Sequence, residues 1–316
     1  MEHVFIINPV SGKKGVAEGL RTAIEAAAKA RGVPVSICHT RAPRHATQIA
    51  QSHAQAGGAV RLYAVGGDGT LNEVFTGAYP FPNAEVASIP CGSGNDFVRS
   101  LGTVDDFLDI PAQLAGTAVS IDLMQVDAGI SAAITSAGLD ANVAYNIPKY
   151  RRLPLVGGSM AYNISILEQL LKPLGMPLSI SLDGHTQQGN YLIATVCNGQ
   201  YYGGGFRAAP MASLDDGVLE VILVKKLSRF QIASIIGKYK KGAHYADGAI
   251  IPSLRHAFQH FRAQEVTITP TGTRPFILNV DGECGPAPRL YAKVMPKAAR
   301  FVLPPALFAA WSAASP

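Results

Sequence analysis

Apolar, β-branched runs alternate with helix-periodic stretches through the first third of the chain. Val4–Ile7 reads as a buried strand, and Val16, Leu20, Ile24 and Ala27 recur at the spacing that gives a helix one buried face. Val33–Cys38 predicts a strand, His45–Gln55 a helix, Arg61–Val65 a strand, Leu71–Ala78 a helix, Glu85–Ile89 a strand and Asn95–Leu101 a helix. This alternation predicts a mostly parallel, doubly wound sheet, which binds ligands in the loops at the carboxyl ends of its strands.

Past about Asp122 the helical pattern thins and strand-like pieces follow one another: Leu178–Leu182, Tyr191–Val196, Leu219–Val224, Val266–Thr269 and Phe276–Val280. Asp183-Gly184 between the first two is a hairpin signature, because the favoured two-residue turn needs positive φ at both central positions. Helical stretches at about Ser159–Leu171 and Ser228–Lys241 interrupt the strands. The predicted fold is α/β plus β: an N-terminal doubly wound α/β domain over 1–122 and a C-terminal antiparallel β-sandwich over 123–299. About 300–316 returns to the first domain, where Phe308 and Trp311 pack a terminal helix.

A chain of 316 residues exceeds what one core usually serves, which supports two domains. With 48% hydrophobic and 16% charged residues it has the apolar surface to bury both. The net charge of +5 suits an anionic partner, but the basic residues are neither dense nor interleaved with aromatics, so no nucleic-acid binding is expected. Cys38, Cys91, Cys197 and Cys284 stand far apart, as free thiols of a reducing compartment do. The start at Met1-Glu2-His3-Val4 runs straight into a strand, so no signal peptide and a cytoplasmic location are expected. No run reaches the ~20 apolar residues of a transmembrane segment, so any membrane contact is peripheral. The histidines make no HExxH or close pair, which argues against zinc chemistry.

Glycine loops follow three of the predicted strands: Asn8-Pro9-Val10-Ser11-Gly12, Gly66-Gly67-Asp68-Gly69-Thr70 and Pro90-Cys91-Gly92-Ser93-Gly94-Asn95-Asp96. Each precedes a helix, so backbone amides and helix N-termini together suit a polyphosphate. Thr70-Leu71-Asn72-Glu73 also fits a capping box. Capping leaves Asp68 unexplained, since a carboxylate beside phosphates needs a cation or a transferred proton. Neither a GxxxxGK[ST] loop nor a GxGxxG in a strand–turn–helix unit is present.

Taken together, Asn8–Gly12, Gly66–Val74, Gly92–Arg99, Leu214-Asp215-Asp216-Gly217 and Val280-Asp281-Gly282-Glu283 resemble the motifs of the diacylglycerol kinase catalytic-domain family, particularly its soluble bacterial lipid kinases. The resemblance spans nearly the whole chain. It implies that the first domain binds ATP, with the active site in the cleft between the domains. The ATP-binding residues it implies are Asn8, Pro9, Val10, Ser11, Gly12, Thr40, Gly66, Gly67, Asp68, Gly69, Thr70, Leu71, Asn72, Ser93, Asn95 and Asp96. It also makes Glu283 the general base for a lipid hydroxyl, supported by Asp281 and Asp68, with ATP and Mg2+ as donor and cation. Ser213, Asp216 and Val218 carry over as a regulatory or structural cation site. Without the resemblance, Asp215-Asp216-Gly217 and Asp281-Gly282 would each pass as turns.

The expected reaction is phosphorylation of a lipid hydroxyl, diacylglycerol first among acceptors. An NAD kinase-like enzyme and a catalytically inactive lipid- or nucleotide-binding protein are the alternatives. The expected partner is a lipid at a membrane surface, met by Lys149-Tyr150-Arg151-Arg152-Leu153-Pro154-Leu155, and a homodimer is an expectation by analogy only.

Overall fold

The computed structural model describes residues 1–12, 16–127, 129–151, 158–274 and 276–314, with backbone alone at 16–18, 151, 158 and 159. Most of the expected interfacial segment, Arg151–Leu155, therefore lies outside the described side chains. Contacts divide the chain into one unit of Met1–Leu123 with Pro296–Pro316 and another of Met124–Met295.

The first unit runs β1 (Glu2–Ile7), α1 (Val16–Arg31), β2 (Val35–His39), α2 (His45–Gln55), β3 (Val60–Gly66), α3 (Asp68–Ala78), β4 (Ala84–Pro90), α4 (Asp96–Arg99), α5 (Ile110–Ala115) and the start of β5 (Thr117–Val126). Four strands pair in parallel in the order β4-β3-β1-β2. Helices cover both faces of such a sheet, so its central strands are mostly apolar, and buried Arg61 of β3 is paired with Glu85 of β4 at 2.8 Å. Phe5, Ile7, Tyr63, Val65, Ala87 and Ile89 pack under Ile24 and Ala27 of α1 and Ile110 and Leu114 of α5. An aromatic cluster forms elsewhere in this unit, where Phe301 lies 5.0 Å from Phe97 and 5.9 Å from Phe75, centroid to centroid. Buried Ala46, Ala50 and Ala54 let α2 approach α3 closely, and a Cβ at Gly77 would stand 2.4 Å from the Thr47 carbonyl.

The second unit takes up the end of β5, then β6 (Gly129–Ser131), β7 (Ile134–Gly138), α6 (Leu139–Arg151), α7 (Gly158–Leu171), β8 (Met176–Leu182), β9 (His185–Cys197), β10 (Leu219–Lys225) and α8 (Arg229–Lys240). It continues with β11 (Tyr245–Ala246), β12 (Ala249–Ile250), β13 (Phe258–Ala263), β14 (Glu265–Pro270), β15 (Ile277–Val280), β16 (Glu283–Pro286) and the first part of β17 (Leu290–Leu303). Its ladders are antiparallel: β9 pairs β8 along its first half, then β7 and β10 along its second. The remainder of β17 and α9 (Pro305–Ala314) belong to the first unit, with Phe301 beside Val86 of β4 and Phe308 and Trp311 half-buried. Among the described residues no helix is long and apolar enough to cross a membrane.

Asp183-Gly184 does form the β8–β9 turn, with φ of 46° and 88°, the conformation that a two-residue hairpin demands. α8 begins with the reciprocal hydrogen bonds of Ser228 and Gln231. The Thr70–Glu73 capping expectation is corrected. α3 starts earlier, at Asp68, so Thr70 is already inside the helix. Glu73 instead accepts the Arg44 and Ala46 amides at 2.9 and 3.0 Å, capping α2 rather than its own helix.

Buried His244 in the second unit has one ring nitrogen 3.0 Å from the Ala208 carbonyl oxygen, and burial pushes its pKa down to about 4 from 6.5. The unfolded chain therefore takes up a proton between those values that the folded chain refuses. Stability is full above about pH 6.5 and falls as pH drops towards 4, by up to ~3 kcal/mol. Thermal melts across that range should show a slope that His244→Gln reduces.

Candidate active site

The glycine loops converge because all of them leave the carboxyl ends of neighbouring parallel strands. Asn8 donates its amide to the Val65 carbonyl at the end of β3, and Thr40 donates its own to the Ile7 carbonyl at the end of β1. The Asn8 side chain donates to Thr70 Oγ1 at 3.1 Å and its Oδ1 accepts the Val10 amide at 3.2 Å, shaping the turn through Pro9, Val10 and Ser11. A Cβ on Gly12 would lie 2.8 Å from the Cys91 carbonyl, so the first loop touches the third.

The second and third loops meet backbone to backbone. A Cβ on Gly92 would stand 2.5 Å from Gly67 Cα, so no side chain fits at that junction. The Cys91 amide donates to the Gly66 carbonyl at 2.9 Å, and Asn95, in left-handed conformation at φ 54°, exchanges hydrogen bonds with Gly92. Asp68 Oδ1 accepts the Phe97 amide at 3.1 Å. The Oδ2 atoms of Asp68 and Asp96 both lie within 3.2 Å of the point where a Cβ at Gly94 would stand. Two hard carboxylate oxygens thus flank one glycine, a donor set that suits a cation of the magnesium type. Gly69 lies in the first turn of α3, Asn72 follows in the same helix, Ser93 is exposed, and Leu71 has its side chain in the core. Burial pushes the Cys91 thiol pKa up, keeping it protonated at neutral pH.

In the second unit, Asp281 and Gly282 turn the β15–β16 hairpin with φ of 46° and 96°. Asp281 Oδ1 accepts from the Ser131 hydroxyl and the Ala133 and Ile134 amides at 2.9–3.0 Å, and Oδ2 accepts the Ala132 amide at 2.7 Å. The Gly282 amide donates to Asn279 Oδ1, which fixes the turn from its other side. Glu283 follows as the first residue of β16, exposed, and among the described residues no hydrogen bond or ion pair holds its carboxylate. A carboxylate so placed is available to take a proton from a neighbouring hydroxyl.

At the loop before β10, Ser213 donates to Asp215 at 2.7 Å and the Val218 amide donates to Asp216 Oδ1 at 3.2 Å. Arg262 lies on Asp216 Oδ2 at 2.5 Å and on Glu220 at 3.2 Å, so a guanidinium already balances the Asp216 charge. Among the described residues no group of three or more His, Cys, Asp or Glu side chains could hold a metal ion.

Sequence reasoning passed over Asp140. It sits in the first turn of α6 with both carboxylate oxygens sealed from solvent and without a hydrogen bond of good geometry. Burial raises its pKa, with the Ser136 and Tyr202 hydroxyls acting in the opposite direction. Asp140 and Glu283 both add to the burial that pushes the Cys284 thiol up to about 12.

Two family models cover the chain. The diacylglycerol kinase catalytic domain matches residues 2–126, and the YegS C-terminal NAD kinase beta sandwich-like domain matches residues 133–303. The chain is 30% identical over 251 residues to a probable lipid kinase YegS-like protein of Shewanella frigidimarina, covering 78% of this chain and 77% of that one. It is 29% identical over 290 residues to the diacylglycerol kinase of Bacillus subtilis, 89% of each chain. A crystal structure of a diacylglycerol kinase from Bacillus anthracis superposes with a TM-score of 0.69 at 20% identity, over 97% of this chain and 98% of that one.

Proposed function

Because the chain belongs to the diacylglycerol kinase catalytic-domain family of lipid kinases, we propose that it transfers the γ-phosphate of ATP to the free hydroxyl of diacylglycerol, forming phosphatidic acid. The observation that carries this reading is Glu283, an exposed carboxylate with no partner among the described residues, set just past a turn that Asp281 clamps through Ser131, Ala132, Ala133 and Ile134.

In this mechanism the backbone amides of the glycine loops, with Asn8 and Thr70, hold the phosphates. Asp68 and Asp96 would supply oxygen donors for the Mg2+ that accompanies ATP, which would offset phosphate charge when bound. Glu283 takes the proton of the lipid hydroxyl as that oxygen bonds to the γ-phosphorus. The bond from phosphorus to the β-phosphate oxygen breaks, and ADP leaves with the electron pair. A second cation at Ser213, Asp216 and Val218 would have to displace Arg262 from Asp216, so occupancy there is coupled to the opening of that ion pair. The acceptor is met at a bilayer surface on the cytoplasmic side, through peripheral contact.

The test is transfer of labelled γ-phosphate, with Mg2+, to diacylglycerol, monoacylglycerol, a sphingoid base, NAD or no acceptor. Label is expected in diacylglycerol above the rest. Label in NAD alone would identify an NAD kinase, and ATP binding with no labelled acceptor would make the chain a binding protein.

A further inference from the structure

A surface helix normally turns apolar residues inward and polar ones out. α7 departs from this, with two polar side chains inside and three large apolar ones outside. Ala161, Ser165 and Gln169 are buried, and Ser165 donates to the Val143 carbonyl at 2.7 Å. The outward face holds Met160, Leu167 and Leu171, at 51%, 61% and 72% exposure. The start of α8 extends this patch. Arg229 donates to the carbonyls of Leu170, Leu171 and Lys172 at 2.6, 3.3 and 3.4 Å, anchoring α8 on the end of α7. Phe230, the next residue, is 89% exposed.

The surroundings are basic. Lys225 to Lys241 contains six basic residues and no acidic one. Arg274 joins them, donating to the Pro173 and Gly175 carbonyls in the loop that follows α7. Glu168, the acidic residue of α7, is taken up by Lys172 at 2.9 Å, by Lys149 at 3.6 Å and by the Tyr150 hydroxyl. Large apolar side chains beside Lys172, Arg229 and Arg274 complement a bilayer whose headgroups are anionic and whose acyl region begins just beneath them.

We propose that Leu167, Leu171 and Phe230, with Lys172, Arg229 and the lysines of α8, form the face by which this protein docks on an anionic lipid bilayer. This assignment deepens the lipid-kinase reading and rests on it for its biological purpose, but the docking itself needs no turnover. The three apolar side chains enter the headgroup and upper acyl region, while the basic residues stay among the phosphates. Lys149, where the expected interfacial segment begins, lies in this neighbourhood through its pair with Glu168.

The test is co-sedimentation with vesicles that contain no acceptor lipid, made of phosphatidylcholine alone or mixed with phosphatidylglycerol. Wild type is expected on the anionic vesicles and to come off as salt rises. Leu171→Glu and Phe230→Glu should each weaken binding ~10-fold, and the double variant ~100-fold, with an unchanged thermal melt because both positions are exposed. Phosphorylation of long-chain diacylglycerol in vesicles should fall with binding, while that of a water-soluble short-chain diacylglycerol stays at the wild-type rate. Binding by the double variant equal to wild type would overturn the proposal. So would a wild-type dimer that the double variant dissociates while vesicle binding is unchanged, since the face would then join two copies. Absent turnover with intact vesicle binding would instead count against the kinase reading and leave the docking face standing.

Discussion

Glu283→Gln should lower kcat with a lipid acceptor by ~10²–10⁴-fold, the usual contribution of a positioned base. The exchange keeps the shape of the side chain, and Glu283 is exposed with no partner holding it among the described residues. No packing is lost and no buried donor is stranded, so the thermal melt should match wild type. ATP binding should also stay within about twofold, because the loops proposed to hold the phosphates belong to the first unit and Glu283 to the second. Steady-state kinetics beside calorimetric titration with ATP would separate the two effects. Full turnover by the variant would place the base elsewhere.

Two residues earlier, Asp281→Ala should fail for the opposite reason. It strands the amides of Ala132, Ala133 and Ile134 and the hydroxyl of Ser131, all of them on buried residues. A carboxylate accepting from several donors makes strong, charge-assisted bonds, and unpaired buried donors keep their full desolvation cost. The expected loss is ~3–5 kcal/mol in the stability of the second unit, by analogy with buried pairs that lose one partner. Chemical denaturation should show an earlier midpoint for Asp281→Ala, and Asp281→Asn should recover part of it. In the proposed mechanism Glu283 supplies the chemistry, while Asp281 holds the turn that presents it.

Periodicity announced the first unit because its strands are apolar on both faces and its helices on one, so α2 and β3 were bounded within a residue or two. The glycine loops were equally visible, since close backbone approach leaves no substitute for glycine at Gly67 and Gly92. Local pattern could not reveal long-range partners. Glu73 looked like a cap for its own helix, yet the carboxylate reaches α2, and Arg262 lies far along the chain from the Asp216 it neutralises. α6 was missed because Pro148 and a weak apolar stripe hide it. The β17 strand was passed over because its alternation switches at Pro296, where it leaves one unit for the other. Asp140 stayed hidden since nothing in its neighbours shows how deeply its oxygens are sealed.

The first unit is completed by residues that come after the whole of the second. Phe301, Val302 and Leu303 are fully buried there, and Phe301 closes the cluster with Phe75 and Phe97. During synthesis, then, Met1–Leu123 emerges without its last strand and with those rings uncovered. The second unit, continuous in the chain, can fold as it leaves the ribosome. The first has to wait for Pro296–Leu303 before its core closes. A ribosome stalled before Phe301 would display the second unit complete and the first with Phe75 and Phe97 uncovered, a natural client for chaperones.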